Sequence, residues 1–280
     1  MSPRAPVLIG IAIASLVFAS CTDVPPDSAS ARTVERSLEV EPASSIPREF
    51  LEVGVNAPSD AREEPRRTAG VPPPRSLKRW AWVVRAEGDR IRVWSDPRSS
   101  GDAPTRVDAA NPWDQRLAFP VMDVVEVQGS AWYRVLIGIE PNGSRGWVRA
   151  GDVTFHRVRH RVIVDLSERV LRHYRNGALR HRFSVGIGAP GTPTTTGRFF
   201  VWATLQPGDP TGPYGSFLLG LSGFSEVLTD WPGGGRIAIH GTTDASDRGR
   251  RVSYGCTRVY NPQMSQLRHI PMGTSVTIRR

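Results

Sequence analysis

Turn-forming residues interrupt the chain so often from residue 79 onward that long helices are excluded. The interruptions in the first half of this region are Asp96-Pro97, Gly101-Asp102, Gly129-Ser130 and Asn142-Gly143. Between them lie short runs rich in β-branched and aromatic residues, which are typical of strands. Asn-Gly favours a tight hairpin, because both positions readily take positive φ. The sequence therefore predicts a mostly β protein.

The N-terminus has the pattern of an export signal. Arg4 precedes an uncharged apolar run, Val7–Phe18, and about 12 residues suits a signal sequence better than a membrane-spanning helix. Ala19-Ser20-Cys21 follows, and small residues before a cysteine resemble a lipoprotein signal, in which Cys21 would carry the lipid. Residues 1–20 are thus predicted to be a signal peptide. Cleavage near Ala19 by an ordinary signal peptidase is the alternative.

Residues 21–78 are predicted to be a disordered tether. Proline recurs throughout this segment, mixed with Ser, Ala and Glu, and the segment has few aromatic residues. Such a composition cannot bury enough apolar surface to offset the entropy of the chain. The predicted arrangement is a membrane-anchored lipoprotein whose folded part faces the cell wall or periplasm.

The net charge of +9 does not indicate a nucleic-acid-binding protein. Nearly all the positive charge is arginine, and the chain has no block of basic residues interleaved with aromatic ones. The charge fits anionic wall polymers or lipid head groups as partners. Arginine-rich genome composition explains it equally well.

Residues 79–157 are predicted to form a small β-barrel. Its five strand-like runs are Trp80–Arg85, Arg90–Trp94, Val121–Val127, Ala131–Ile137 and Arg145–Arg149. The segments around Trp132-Tyr133 and Gly146-Trp147 resemble bacterial SH3-like domains. That resemblance implies either binding of a wall ligand or a spacer role. The tryptophans are expected mainly in the barrel core, with a ligand groove as the alternative.

Cys256 is the only cysteine besides Cys21, which is predicted to carry the lipid, and an exported chain seldom keeps a lone thiol without a chemical use. His240 ends a strand-like run, and a loop rich in Gly, Arg and Asp separates it from Cys256. A histidine within reach can take the thiol proton and hold a thiolate–imidazolium pair. Gly255 permits a tight turn beside the sulfur. The backbone N–H groups of Tyr254, Gly255 and Cys256 are candidates for stabilising an oxyanion.

The second half of the chain, residues 158–280, is similar to the catalytic domain of L,D-transpeptidases, the YkuD family. The motifs that carry the similarity are Ile163–Leu166, Tyr174–Gly177, Val185–Gly188, Thr192–Gly197, Ile239–Thr242 and Ser253–Arg258. The resemblance implies a β-sandwich in which Cys256 is the nucleophile and His240 the base. It also implies that the carbonyl of Gly241 orients the imidazole.

Other residues of the motif have less specific roles. Arg258 is expected to hold the turn or to meet a substrate carboxylate, and Ser253 is expected to be a turn residue. Tyr254 stands where the family often has His, and its effect on the acceptor amine is open. Gly241 stands where some members have Ser. The histidines outside the motif show no metal-ligand spacing with cysteine, so neither a metal nor a cofactor is expected.

The resemblance implies an acyltransferase acting on peptidoglycan stem peptides. Cys256 would attack a tetrapeptide stem, release D-Ala as it forms a thioester, and pass the acyl group to a second stem as a 3→3 cross-link. Hydrolysis, as in an L,D-carboxypeptidase, and attachment of a protein to the wall are alternatives within the family. A non-catalytic wall-binding lipoprotein is the alternative of a different class.

Overall fold

The computed structural model describes residues 82–98, 103–229 and 234–280. The predicted signal peptide, Cys21 and the tether up to residue 78 lie outside the described residues. Among the described residues, no helix has the length and apolar character needed to cross a lipid bilayer.

The first half of the described chain consists of short strands, as the turn pattern predicts. They are β1 (Trp82–Ala86), β2 (Arg90–Val93), β3 (Thr105–Asp108), β4 (Phe119–Val127), β5 (Ser130–Leu136), β6 (Arg145–Arg149) and β7 (Val153–Arg157). Five of them form an antiparallel sheet in the order β6-β5-β4-β1-β7, and β2 pairs with β3 as a separate hairpin. The identification of this part as SH3-like stays a prediction.

The second half contains ten further strands. They are β8 (His160–Asp165), β9 (Val170–Arg175), β10 (Ala178–Ser184), β11 (Ile187–Gly188), β12 (Gly197–Leu205), β13 (Leu218–Phe224), β14 (Arg236–Thr242), β15 (Arg251–Ser253), β16 (Thr257–Tyr260) and β17 (Ser275–Arg279). Eight of them follow one another in the order β10-β9-β8-β17-β12-β13-β14-β16, while β11 pairs with β15. Asn176 and Gly177 have φ of 54° and 82°, the hairpin conformation that their sequence predicts.

One apolar core joins both ends of this eight-stranded sheet. Val162 and Leu171 come from β8 and β9, Ile239 and Val259 come from β14 and β16, and all four are buried in the same cluster. The sheet therefore folds over so that its two ends pack face to face, as in a sandwich. The predicted fold class, mostly β with a sandwich in the second half, is confirmed.

The only α-helix among the described residues is short. It is α1 (Asn261–Met264), followed by a 3₁₀ turn at Ser265–Leu267. The N-cap position is Tyr260, and Asn261 is the first residue of the helix. The Asn261 amide bonds the loop before β13, where it bears on the candidate site. Further 3₁₀ turns lie at Ala150–Asp152 and Ala245–Asp247.

Strand β12 is buried on both faces and separates two cores. Phe199 and Val201 point into the sandwich core, whereas Phe200 and Trp202 pack into the core of the first sheet. This alternation follows from the two-residue period of a strand. A register shift between Val201 and Ala203 then turns Ala203 toward the first sheet as well.

Polar contacts also join the two halves. Asn142 Nδ2 donates to the Phe224 carbonyl and Asn142 Oδ1 accepts from the Phe224 N–H, both at 2.8 Å. The Arg236 guanidinium lies 3.8 Å from the ring centroid of Trp202 and donates to the Gly138 carbonyl at 2.8 Å. The two halves therefore share a core and a hydrogen-bonded joint.

Replacing Trp202 by Ala should destabilise both halves together. Truncation of a buried aromatic side chain costs about 3–5 kcal/mol, and here the cavity would open in the core that both halves share. We expect one cooperative unfolding transition at lower denaturant concentration, followed by far- and near-ultraviolet circular dichroism. The matched control is Val227→Ala, because Val227 is 49% exposed and its loss should change stability by less than about 0.5 kcal/mol. Two separate transitions, only one of them shifted, would contradict the shared core.

Candidate active site

Parallel pairing of β14 with β16 brings His240 and Cys256 together. His240 is in register with Arg258, and Cys256 immediately precedes β16. With strands about 4.8 Å apart and a rise of about 3.3 Å per residue, a two-residue offset places the Cα atoms of His240 and Cys256 about 8 Å apart. Thiol and imidazole side chains can meet across that distance.

A backbone hydrogen bond sets the tautomer of His240. Its Nδ1 lies 2.8 Å from the carbonyl oxygen of Gly241. A carbonyl can only accept, so Nδ1 carries the proton and Nε2 of the neutral ring keeps its lone pair. The contact is the one that the family resemblance implies for Gly241. It leaves Nε2 as the nitrogen that can take a proton.

The imidazole is buried and neutral, whereas the cysteine is accessible. His240 is 4% exposed, and burial is the main reason that its pKa lies at about 4, with the positive charge of Arg258 acting in the same direction. The Gly241 hydrogen bond acts to raise the pKa but does not prevail. Cys256 is partly exposed and forms no disulfide. The low pKa of His240 favours a neutral imidazole before substrate binds.

The turn before Cys256 is held by Ser253. Its Oγ donates to the Cys256 carbonyl at 2.5 Å and accepts from the Gly255 N–H at 3.2 Å. Gly255 has φ of 111°, a conformation that favours glycine. The Gly255 N–H is therefore committed to Ser253, and its predicted role as an oxyanion donor is corrected. Tyr254 lies in the same turn and is partly exposed.

The Pro- and Gly-rich loop before β12 lies along this turn. Ala189 N–H and Thr192 Oγ both donate to the Ser253 carbonyl, at 2.8 and 3.0 Å. A Cβ on Gly255 would lie 3.5 Å from the Pro193 carbonyl oxygen. The loop therefore forms one wall beside the cysteine.

Arg258 braces the site through a partner that the sequence did not indicate. Its Nη1 lies 3.2 Å from Asp247 Oδ2, and that oxygen also accepts from Thr242 Oγ1 at 3.0 Å. The backbone of Arg258 exchanges two hydrogen bonds with Gly186. Arg258 thus ties β16 to the loop after β14, which fits the predicted role of holding the turn. Asp247 is one of two acidic residues in that loop, and nothing in the sequence distinguishes it from Asp244.

Asn261 is a further residue whose position the sequence did not reveal. Its Oδ1 accepts from the Ser216 N–H and its Nδ2 donates to the Pro210 carbonyl, both at 2.9 Å. The loop so held carries Tyr214, whose ring meets the His240 ring edge-on with centroids 5.4 Å apart. A Cβ on Gly241 would lie 2.2 Å from Asn261 Oδ1. The amide thus occupies the space that a serine at position 241 would need.

Comparison with known proteins agrees with this site. The family model of the L,D-transpeptidase catalytic domain, YkuD, matches residues 159–278. A protein of Bacillus licheniformis assigned as the L,D-transpeptidase YkuD is 34% identical over 120 residues, which make up 42% of this chain and 65% of that relative. Its Bacillus subtilis counterpart is 29% identical over 126 residues, or 45% of this chain and 69% of that relative. The chain therefore spans about two thirds of the length of these relatives.

Among solved structures, an L,D-transpeptidase from Mycobacterium smegmatis matches 58% of this chain and 99% of its own, with 12% identity and a TM-score of 0.35. A likeness that distant adds nothing to the assignment, which rests on the sequence matches and covers the residues that position His240 and Cys256. Residues 159–278 match the L,D-transpeptidase catalytic domain of the YkuD family.

Proposed function

We propose that this chain is a peptidoglycan L,D-transpeptidase that works through a thioester on Cys256. The observation that carries the proposal is a partly exposed thiol two residues from the register partner of a buried imidazole, whose Nδ1 is committed to the Gly241 carbonyl. The base has a defined tautomer and is already neutral, and the nucleophile is open to a large substrate. The family assignment identifies the substrate class, peptidoglycan stem peptides.

Acylation begins when a tetrapeptide stem enters beside Cys256. His240 Nε2 takes the thiol proton as the sulfur attacks the carbonyl carbon that joins the L centre of the diamino acid to terminal D-Ala. The resulting imidazolium gives this proton to the departing D-Ala amine as the C–N bond breaks. The products are a thioester and free D-Ala, with His240 neutral again.

Transfer reverses the proton movements. The side-chain amine of a second stem loses a proton to His240 Nε2 and attacks the thioester carbon. The C–S bond breaks, and the imidazolium returns the proton to the sulfur. Burial lowers the pKa of His240, so the charged ring gives up its proton readily to the departing amine and to the sulfur.

Water or a protein amine can replace the second stem in the same step. The products would then be a trimmed stem, as from an L,D-carboxypeptidase, or a protein attached to the wall. A non-catalytic wall-binding lipoprotein has no need for a neutral imidazole with a fixed tautomer beside a thiol. We therefore favour the enzyme, with transpeptidation as its reaction.

We also propose that the protein is exported and anchored through a lipid on Cys21, with residues 21–78 as a tether. The first five-stranded sheet would then be an SH3-like module held rigidly beside the catalytic domain. The strand pattern of residues 82–157 supports this proposal, since five short antiparallel strands of this kind suit a small barrel. Wall polymer is the ligand class that the net charge of +9 suits.

Acylation of Cys256 can be measured by intact mass after incubation with a carbapenem. We expect one covalent adduct on the unmodified chain and none on Cys256→Ala, because the sulfur is the atom that bonds the drug. The matched control is His156→Ala, which removes a histidine from the first half and should leave the adduct unchanged. An equal adduct on Cys256→Ala would show that another residue is the nucleophile.

Incubation with tetrapeptide monomers and mass spectrometry of the products separates the three outcomes of the thioester. Transpeptidation gives a stem dimer and free D-Ala, whereas carboxypeptidation gives a shortened stem and free D-Ala without a dimer. Binding without any loss of D-Ala would favour the wall-binding alternative. Added protein amine tests attachment to the wall.

The acid limb of the acylation rate should follow the pKa of His240. Neutral His240 is the active base, so the rate should fall as the pH drops through about 4 instead of through the ordinary histidine value of 6.5. The same difference in pKa affects stability, because His240 takes up a proton near pH 6.5 in the unfolded chain but only near pH 4 in the native chain. Its contribution to stability is therefore complete above 6.5 and is lost as the pH falls toward 4. Carbapenem acylation rates from pH 4 to pH 8, with circular dichroism to verify folding, provide the measurement. An acid limb centred near pH 6.5 would mean that a solvated histidine is the base.

Asn261→Ala should slow acylation without removing the nucleophile. The change deletes both hydrogen bonds that hold the Tyr214 loop, and a displacement of about 1 Å in a catalytic site can cost 10²-fold in rate. We expect the adduct of full mass to form more slowly, by about tenfold to 10²-fold. The matched control is Gln266→Ala, since Gln266 is exposed on the neighbouring 3₁₀ turn. An unchanged rate in Asn261→Ala would show that the Tyr214 loop does not position His240.

A further inference from the structure

Histidines converge on the end of the sheet formed by β8, β9 and β10. His173 on β9 is in register with His181 on β10 and with Val162 on β8, two residues after His160. Residues in register, and residues two apart on one strand, share a face of the sheet. His269, just beyond the 3₁₀ turn after α1, packs against His160 and His173. Strand pairing thus gathers residues that sequence spacing leaves far apart.

Three of these rings bring nitrogen atoms together. His160 Nδ1 and His173 Nε2 are 2.9 Å apart. One ligand nitrogen from each of His160, His173 and His269 lies within 4.8 Å of the other two. In the strand order the cluster is at one edge of the sheet, while β14 and β16 are at the other. The cluster plays no part in the proposed reaction.

Burial of these polar rings costs free energy, and hydrophobic packing does not explain why they are buried. His173 is fully buried and His160 is 5% exposed. His173 Nδ1 has no hydrogen-bond partner among the described residues, and an unsatisfied buried polar atom costs about 1–3 kcal/mol. The neutral imidazole is the form of histidine that binds metal ions.

We propose that His160, His173 and His269 form a three-imidazole binding site for a divalent transition-metal ion, with zinc as its probe. A purely imidazole ligand set suits zinc, copper or nickel and disfavours magnesium and calcium, which prefer oxygen. Three protein ligands leave a fourth position for water or another group. His269 is at least partly exposed, so that position can face solvent.

The geometry needs only a small adjustment to hold the ion. Tetrahedral zinc with Zn–N bonds of about 2.0–2.1 Å requires nitrogen atoms about 3.3 Å apart. His160 and His173 would separate by a few tenths of an ångström, and His269 would close in from outside the strands. The ion replaces the His160–His173 hydrogen bond, and the donating ring stays neutral by carrying its proton on the other nitrogen.

Neighbouring groups affect how tightly the three histidines bind a metal ion. Arg175 interacts electrostatically with His173, and its positive charge opposes a dication there. His181 stacks on His173 with ring centroids 5.5 Å apart but is not one of the three converging ligands. The site is therefore expected to bind an ion that forms strong bonds to imidazole.

Zinc binding should be measured on the full chain carrying Cys256→Ala, so that the thiol cannot contribute. Competition with a chromogenic chelator is expected to show one zinc ion per chain. Adding His269→Ala should weaken binding by more than about tenfold, because loss of even an outer partner of a metal ligand typically costs 10–100-fold. Adding His156→Ala instead is the matched control and should leave affinity unchanged. Circular dichroism confirms that each variant is folded.

A second variant and a second measurement test the proposal even if His269→Ala does not fold. His160→Gln keeps a polar side chain and should also weaken zinc binding, whether or not His269→Ala folds. Cobalt(II) bound to the Cys256→Ala chain should show the visible spectrum of a tetrahedral nitrogen-ligated ion, and His269→Ala should remove it. Failure to take up zinc saturably, or uptake that neither variant weakens, would overturn the proposal.

Discussion

The parallel pairing of β14 with β16 is the constraint on which the site depends. It sets the register that puts His240 beside Arg258 and brings Cys256 within reach of the imidazole. Parallel strands require a crossover, and here the crossover is the loop that carries Asp247. The same pairing therefore delivers the base, the nucleophile and the carboxylate that holds Arg258.

Around that pair, the catalytic groups are held mainly by backbone atoms. The imidazole is oriented by a carbonyl of its own strand, and the cysteine turn is closed by Ser253 through the backbone of residues 255 and 256. Asn261 fixes the neighbouring loop through one N–H and one carbonyl. Backbone groups are the same for every side chain, so these contacts do not require a particular side chain at position 254.

Much of this could be predicted from the sequence, because the signals were local. Turn residues and β-branched runs predicted the strands, and Asn176-Gly177 predicted its hairpin. The lone thiol and the upstream histidine pointed to the same pair that β14 and β16 bring together. The low pKa of His240, the role of Asn261 and the histidine cluster depend on burial and strand register. These are properties of residues distant in the chain, and no spacing rule encodes them.

Strand β12 has a consequence for how such chains can evolve. Because its Phe200 and Trp202 complete the core of the first sheet, a chain without residues 82–157 would present a bare aromatic surface to solvent. Recombination therefore cannot exchange the two halves as independent domains. A lineage that acquires a new N-terminal module must alter alternate positions of β12 at the same time.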